Sequence, residues 1–172
     1  MTIPAYPRIR FTLLVLARHA RRRWWLYGLA SAIFGWAFCH YRLALNMSNS
    51  LPESMYLVVL GTQPTRVGQY VAFEWQRDQF YRRDWLFVKR VAGLPGQCVT
   101  VAQRSVYIDG KLAGYAKPVS RRGVPLAPIA PGVIPAGYVY AAASHPDSLD
   151  SRYRVTGLIA TSRIVGTAYA IF

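Results

Sequence analysis

The stretch WLFVKRVAGLPG, Trp85 to Gly96, is the part of the sequence from which both the fold and the chemistry are predicted. Side chains alternate along a β-strand, so a strand that starts at Trp85 places Phe87 and Lys89 on one face and Arg90 on the other. A lysine among large apolar side chains loses hydration, which lowers its pKa and favours a neutral amine. A neutral amine can act as a general base. The alternative is a lysine that extends its amine into water.

Short runs rich in Val, Tyr, Phe and Ile recur on either side of this stretch, separated by Gly and Pro turns. They are SMYLVVL, YVAFEW, WLFVKRVAG, QCVTVA, SVYIDG, GYVYAAA and IVGTAYAIF. The dipeptide Asp109-Gly110 is typical of a tight hairpin. No convincing amphipathic helix interrupts the runs. The sequence predicts a mostly antiparallel β domain over residues 46–172, with an exposed Pro-rich loop from Lys117 to Pro131.

An uncharged segment precedes this domain. Residues 24–41, WWLYGLASAIFGWAFCHY, are flanked by arginines, and residues 1–23 contain six arginines and no acidic residue. As a helix the segment spans roughly 27 Å, close to the ~30 Å hydrocarbon core of a bilayer. The arginine excess predicts a cytoplasmic N-terminal segment (1–23), a single transmembrane anchor (24–41) and a periplasmic domain at the bacterial inner membrane. A cleaved secretory signal and a buried core helix are the alternatives.

The overall charge is strongly positive. The 172 residues include 21 Lys and Arg against 7 Asp and Glu, a net charge of +14. Such a balance is typical of proteins that bind nucleic acid or anionic membranes. Because the basic leader precedes the anchor, membrane lipids are the expected partner and nucleic acid is not. The two cysteines, Cys39 and Cys98, match neither a disulfide framework nor a metal site, and no cofactor is expected.

Two further stretches carry candidate chemistry, NMSNSLPESMY (residues 46–56) and SHPDSLDSRY (residues 144–153). A serine hydroxyl is a weak nucleophile that needs a base during attack, and a neutral buried lysine can serve. In the second stretch, Ser148 is placed to hydrogen-bond such an amine. Asp150 is expected to organise the loop by pairing with Arg152 or with another cation.

A Ser-His-Asp arrangement is the alternative within the same residues. It uses His145 as the base, with Asp147 or Asp150 to orient the imidazole. Little in the sequence favours it, since His145 lies in a loop directly before a proline.

Together these stretches resemble the type I signal peptidases and, within them, the TraF-type conjugative transfer peptidases. FVKRVAGLPG resembles the family's lysine motif, and DSLDSRY is similar to its C-terminal motif. The stretch NMSNSLPESMY resembles the TraF-type pattern Asn-x-Ser/Thr-x-Ser-x-Pro-x-Gly-x-Tyr. The resemblance implies a signal-peptidase/LexA-like antiparallel β catalytic domain behind one N-terminal transmembrane helix.

Carried over by position, the resemblance implies a Ser-Lys dyad of Ser50, the nucleophile, and Lys89, the general base. The main-chain N–H of Ser50 is an implied oxyanion donor. The oxyanion-binding and supporting positions that it implies are Ser48, Ser148, Asp150 and Arg152.

The chain departs from the family pattern at four places, one of which is a longer gap, residues 154–156, between Tyr153 and Gly157. Ser54 replaces the glycine after the proline, and Gln97 replaces an aspartate after the lysine motif. Ser144, His145 and Pro146 replace a Gly-Asp-Asn sequence. These departures bear on the geometry of the site and on substrate preference.

The implied function is a membrane-anchored endopeptidase that cleaves exported precursors at small residues. The expected substrate is a conjugative pilin precursor. The protein is also expected to associate with a conjugative transfer apparatus. A first alternative is a catalytically inactive, membrane-anchored β module that binds anionic lipid or assembly partners. A second is a self-cleaving repressor with a related Ser-Lys fold, which the uncharged N-terminal segment disfavours.

Overall fold

The chain forms two compact units, Met1–His40 and Tyr41–Phe172. The computed structural model describes residues 6–47, 50–76, 80–83 and 85–171. The first unit contains two helices, α1 (Tyr6–Arg22) and α2 (Trp24–His40). Each is built from residues that tolerate a helical backbone, without an internal proline beyond the first turn.

Helix α2 covers almost all of the uncharged segment but ends one residue early. It has 17 residues, none of them buried, and Tyr41 belongs to the following strand. Across the described residues, no helix has both the length and the apolar character required to traverse a bilayer. The predicted helix is therefore present, whereas the predicted transmembrane span is not confirmed.

The second unit is built from antiparallel strands. The strands that the structure describes are β1 (Tyr41–Leu45), β2 (Met55–Leu60), β3 (Tyr70–Glu74), β4 (Leu86–Gly93), β5 (Cys98–Ala102), β6 (Ser105–Ile108), β7 (Lys111–Tyr115), β8 (Gly132–Val133), β9 (Tyr138–Ala142), β10 (Ile159–Ala160) and β11 (Ile164–Ala170). A short 3-10 helix, Thr161–Arg163, precedes the last strand. The mostly antiparallel β prediction is confirmed.

The strands form two sheets. The larger has the order β1-β2-β11-β3-β4-β9-β10, and the smaller has the order β7-β6-β5-β8. Strand β4 lies inside the larger sheet, where it pairs with β3 and β9. In that register Val71 of β3 lies opposite Lys89 of β4. The strand that carries the lysine therefore has a neighbour on each edge, which fixes its backbone.

Turn chemistry explains two features of this topology. Asp109 and Gly110 have φ angles of 45° and 77° and connect β6 to β7 as the predicted two-residue hairpin turn. Gly166 in β11 allows the close approach of β2, since a Cβ there would lie 2.0 Å from the carbonyl oxygen of Val59. Any side chain at Gly166 would therefore force β2 and β11 apart.

An apolar cluster supports the region around β4. Its buried members are Trp75, Ala116, Leu126, Leu149 and Tyr153, and Phe80, Tyr81 and Phe87 pack against it. The cluster joins residues from β4, from the SHPDSLDSRY stretch and from the Pro-rich segment. It therefore holds three distant parts of the sequence beside the lysine.

The Pro-rich segment is less exposed than predicted. Leu126 and Ile129 are buried, and Val119 forms a bridge with Pro125. At its base, the guanidinium of Arg104 donates hydrogen bonds of 2.6–2.8 Å to the carbonyl oxygens of three residues: Ala116, Lys117 and Leu126. These bonds provide donors for backbone carbonyl groups that take part in no strand pairing. The segment is therefore an ordered loop.

Candidate active site

Lys89 is buried in β4. Its side chain is 2% exposed, and Nζ lies 5.7 Å from the centre of the Phe87 ring. Arg90, the next residue, is exposed on the opposite face. The alternation predicted for this strand is therefore confirmed, and the alternative of an amine extended into water is wrong. Trp85 differs from the prediction, because it precedes the strand and is half exposed.

Burial lowers the pKa of Lys89 to about 8, from an ordinary value of 10.5. Desolvation is the main cause, since removing an ammonium from water disfavours its charged form. Asp150 acts in the opposite direction and raises the pKa, whereas Arg152 lowers it. Desolvation is larger than either charge effect, so the amine of Lys89 is deprotonated near neutral pH more readily than that of an exposed lysine.

Ser148 holds the amine of Lys89. Nζ donates a hydrogen bond to Ser148 Oγ at 3.0 Å, the contact expected from the sequence. The backbone of this loop turns sharply, with the Ser148 N–H donating to the carbonyl oxygen of His145 at 3.1 Å. The turn brings the hydroxyl to the buried end of the lysine and restricts the amine to one direction.

Asp150 and Arg152 form a buried ion pair behind the loop. Asp150 is fully buried and its side chain accepts hydrogen bonds from Arg152 Nε at 2.8 Å and Nη2 at 2.7 Å. The same carboxylate accepts from the backbone N–H groups of Ala143 at 2.8 Å and Arg152 at 3.0 Å. Four donors therefore surround it. Arg152 also donates to the carbonyl oxygen of His145 at 3.1 Å, which fixes the start of the loop.

Ser50 lies in the loop between β1 and β2 and is 5% exposed. Its carbonyl oxygen accepts hydrogen bonds from the backbone N–H groups of Ser144 at 3.1 Å and His145 at 3.4 Å. Its hydroxyl donates to Asn46 Oδ1 at 3.3 Å. The serine loop and the loop that holds Lys89 are thus joined through the backbone of Ser50. Ser48, the predicted oxyanion donor, lies outside the described residues.

Asn46 organises the serine loop, a role that sequence reasoning missed. Its Nδ2 donates to the carbonyl oxygens of Leu51 and Glu53, each at 3.0 Å. Glu53 in turn accepts a hydrogen bond from Tyr56 at 2.7 Å. Asn and Asp often hydrogen-bond nearby backbone in turns, and this tendency was the available sequence signal.

A cavity of about 440 Å³ contains the candidate residues. Ser50, Lys89 and Ser148 all line it, so the structure brings three predicted site residues to one surface. The other residues that line the cavity are Met47, Phe80, Tyr81, Phe87, Ser120, Arg121, Arg122, His145, Asp147 and Leu149. Most of these were not predicted, because they come from loops whose positions depend on the tertiary fold.

The geometry disfavours the Ser-His-Asp alternative. His145 Nδ1 accepts a hydrogen bond from the backbone N–H of Asp147 at 3.1 Å, so neither carboxylate oxygen of Asp147 orients the ring through that atom. The Asp147 carboxylate is bound by Lys117 and Arg121, and the Asp150 carboxylate by Arg152. Among the described contacts, no carboxylate is available to hold the imidazole as a triad requires.

Two of the departures from the family pattern have a structural explanation. Among the described residues, positive φ occurs at three non-glycine positions, and Ser54 is not one of them, so a glycine is not required there. Gln97 accepts from the Leu94 N–H at 2.8 Å and donates to Asp109 at 2.7 Å. Gln97 therefore links the turn at Leu94 to Asp109, whose carboxylate also accepts a hydrogen bond from the Cys98 N–H at 2.7 Å.

Most of the chain matches a known protein family. The sequence model described as signal peptidase, peptidase S26, matches residues 17–172. The chain belongs to the S26 signal peptidase family. The match includes the candidate serine, the lysine and the SHPDSLDSRY stretch. The family resemblance inferred from the sequence motifs is confirmed, and with it the assignment to a family of serine peptidases.

Relatives within the family are of two kinds. A conjugal transfer protein TraF of Agrobacterium fabrum is 30% identical over 145 residues, which cover 74% of this chain and 81% of that protein. Signal peptidase I of Bacillus amyloliquefaciens is 37% identical over 94 residues, half of this chain and 48% of its own length. A signal peptidase I T of Bacillus subtilis is 36% identical over a region of the same length. The similarity to the TraF protein therefore extends over more of this chain than the similarity to either signal peptidase.

A solved structure, a signal peptidase I from Enterococcus faecalis, aligns with 65% of this chain and all of the compared chain. The sequence identity is 19% and the TM-score is 0.39. A TM-score this low adds nothing to the family assignment, which rests on the sequence matches.

Proposed function

We propose that the chain is a serine endopeptidase that uses a Ser50–Lys89 dyad. One observation carries the proposal: a buried lysine, with its pKa lowered to about 8, lines the same cavity as a serine held by an ordered loop. A buried lysine without a carboxylate hydrogen-bonded to its amine is costly for a fold, because desolvation is not repaid. Catalysis explains why the cost is tolerated, and family membership supports this explanation.

The chemistry follows from the two side chains. Lys89 Nζ accepts the proton of Ser50 Oγ as the oxygen attacks the carbonyl carbon of the substrate. The same ammonium then donates that proton to the departing amine, which leaves an ester between substrate and Ser50. A water molecule hydrolyses the ester with Lys89 again as the base. The backbone N–H of Ser50 and the hydroxyl of Ser48 are proposed to stabilise the oxyanion.

Supporting residues keep the base in place. Ser148 accepts a hydrogen bond from Lys89 at 3.0 Å and so directs its nitrogen. Asp150 and Arg152 hold the loop that carries Ser148 through their buried ion pair. Arg152 has a second effect, because its charge offsets part of the influence by which Asp150 raises the pKa of Lys89.

The proposed substrates are exported precursor proteins with small residues at the cleavage site. A conjugative pilin precursor is the proposed physiological substrate, on the basis of the TraF-type serine motif and the likeness to a conjugal transfer protein. The same likeness supports association with a conjugative transfer apparatus. Co-expression of the chain with such a precursor tests the proposal, with the product mass giving the cleaved bond. An uncleaved precursor beside the active chain would contradict the pilin assignment.

The activity of the enzyme is expected to rise with pH. Lys89 must be neutral to accept a proton, and its pKa of about 8 means that the neutral fraction grows about tenfold per pH unit below 8 and levels off above it. A profile of kcat/KM between pH 6 and 10 measures this directly. A profile that is flat from pH 6 to 8 would contradict Lys89 as the base.

We further propose attachment to the bacterial inner membrane through the first unit, with the peptidase domain on the periplasmic side. Trp24, Phe34 and Phe38 of α2 are exposed large apolar side chains, and the segment before them is rich in arginine. Exposed apolar surface of this kind favours lipid contact. After alkaline carbonate extraction, the unaltered full chain is expected to stay with the membranes. The double variant Phe34→Asp, Phe38→Asp is expected to be released. Release of the unaltered chain would contradict attachment.

A further inference from the structure

A basic loop forms one wall of the cavity that contains Ser50 and Lys89. Ser120, Arg121 and Arg122 of the Pro-rich segment line this cavity. The two arginines are exposed at the tip of the segment, and neither belongs to the proposed dyad or to its supporting residues. The charge of this wall therefore needs an explanation separate from the cleavage chemistry.

The tip of the loop is ordered by its own hydrogen bonds. Ser120 donates its backbone N–H to the carbonyl oxygen of Val124 at 2.8 Å. The hydroxyl of Ser120 accepts from the backbone N–H groups of Val124 at 3.1 Å and Arg122 at 3.3 Å. Together with the bonds from Arg104 at the base of the loop, these contacts present the Arg122 side chain from a fixed backbone.

Arg121 and Arg122 differ in their electrostatic environment. Asp147 binds Arg121 through hydrogen bonds of 2.9 Å and 2.8 Å and also pairs with Lys117. The hydrogen bonds from Lys117 and Arg121 lower the pKa of Asp147, so its carboxylate is ionised at neutral pH. Arg122 has no ion-pair partner within the described part of the chain. Among the described residues, its charge is therefore uncompensated at the wall.

Within the described residues, Asp147 is also the sole acidic side chain that lines the cavity, and it is occupied by two cations. A carboxylate that enters the cavity therefore meets an arginine able to bind it in bidentate geometry and, among the lining residues that the structure describes, no free like charge. We propose that Arg122 selects precursors that carry an Asp or Glu side chain within a few residues of the cleaved bond. This inference rests on the proposed peptidase function and concerns the substrate of the same site.

Peptide binding tests the inference separately from cleavage. The probes are fluorescent peptides that share one Ala-Gln-Ala segment, in which a flanking Gln is replaced, one position at a time, by Glu or by Lys. Binding is measured with the full chain carrying Ser50→Ala, which prevents cleavage. At one or more positions the Glu peptide is expected to bind about two- to fivefold more tightly than the Gln peptide, the upper part of the range for exposed ion pairs. The difference is expected to shrink with added salt.

A charge reversal provides the decisive comparison. Adding Arg122→Glu is expected to reverse the order, so that the Lys peptide binds more tightly than the Glu peptide. Arg154→Glu is the matched control, since Arg154 is exposed and does not line the cavity, and the substitution changes the net charge by the same amount as Arg122→Glu. The control is expected to keep the preference for Glu. Circular dichroism confirms that each variant is folded.

The outcomes separate this inference from the proposed function. Equal binding of all peptides, or an unchanged preference in Arg122→Glu, overturns the inference even if the wild-type chain cleaves them. A preference that follows Arg122 supports it even if no peptide is cleaved, in which case the peptidase proposal alone fails. Loss of binding to phosphatidylglycerol vesicles in Arg122→Ala, with unchanged peptide discrimination, assigns Arg122 to lipid contact and also overturns the inference.

Discussion

Replacement of Ser50 by Ala, or of Lys89 by Met, is expected to lower kcat/KM for a cleaved precursor by about 10⁴-fold or more, the loss typical of a removed nucleophile or base. Ser50→Ala removes the attacking oxygen, and Lys89→Met removes the proton acceptor while keeping a side chain of similar length. Because the two residues act as a unit, the double variant is expected to be no less active than either single variant. The loss is measured as the kcat/KM with which each variant cleaves a purified precursor.

The stability of Lys89→Met distinguishes a lost base from a damaged fold. The difference between the ordinary pKa of 10.5 and about 8 corresponds to about 3 kcal/mol of unfavourable burial of the charged amine. Below pH 8 the lysine is protonated in both the folded and the unfolded chain, so the full cost is present. Between pH 8 and 10.5 the folded chain has lost the proton and the cost declines, and above 10.5 it is absent.

Lys89→Met is therefore expected to be up to about 3 kcal/mol more stable than the wild-type chain at pH 7, with a gain that falls as pH rises above 8. Urea denaturation at several pH values measures it. Lys111→Met is the control, since Lys111 is exposed at the start of β7 and carries no burial cost. If Lys89→Met were both inactive and strongly destabilised, its loss of activity would be explained by a damaged fold and not by a lost base. Retained activity in Ser50→Ala would remove the dyad.

Asp150→Ala is expected to destabilise the fold by about 3–5 kcal/mol, because it leaves the guanidinium of Arg152 buried without its counter-charge. The Arg152 side chain is 5% exposed and the Asp150 side chain is fully buried, so water cannot replace the lost carboxylate. The backbone N–H of Ala143 also loses its acceptor. Equilibrium unfolding in urea measures the change.

Asp147→Ala is the matched control for this pair. Its partners are more exposed, with 40% of the Lys117 side chain and 72% of the Arg121 side chain accessible, and its loss is expected to cost less than about 1 kcal/mol. Asp150→Leu combined with Arg152→Met is expected to recover much of the stability lost in Asp150→Ala, because no buried charge remains. A cost for Asp150→Ala as small as that of Asp147→Ala would contradict a structural role for the buried pair.

Much of the β architecture follows from local sequence. Runs of alternating Val, Tyr and Phe predicted β2, β3, β4, β5, β6, β9 and β11, and Asp109-Gly110 predicted the hairpin between β6 and β7. Strand β1 was not predicted, since Tyr41 was assigned to the uncharged segment and the short run YRLAL has no turn signal before it. Its strand character depends on pairing with β2, which is a tertiary property.

In the candidate site, too, some residues were predicted from local sequence and others depend on the tertiary fold. Lys89 was predicted to be buried because strand alternation is a local rule, and Ser148 was predicted to bind it because of a sequence motif. Asn46 was missed although the turn-forming tendency of asparagine was available, and Arg122 was missed because its place at the cavity depends on how the Pro-rich segment folds. The contact between Gln97 and Asp109, 12 residues apart, was likewise not predicted, because it depends on how the hairpin folds back. Contacts of this kind have no period or spacing from which to infer them.

The hydrogen bonds from Arg104 have an evolutionary consequence. They fasten the Pro-rich loop on both sides of its tip through backbone carbonyls, which every amino acid possesses. The exposed side chain of Arg122 can therefore be replaced without loosening these contacts. Substitutions of Arg122 can therefore alter the proposed preference for acidic substrates during evolution while the proposed Ser50–Lys89 dyad is retained.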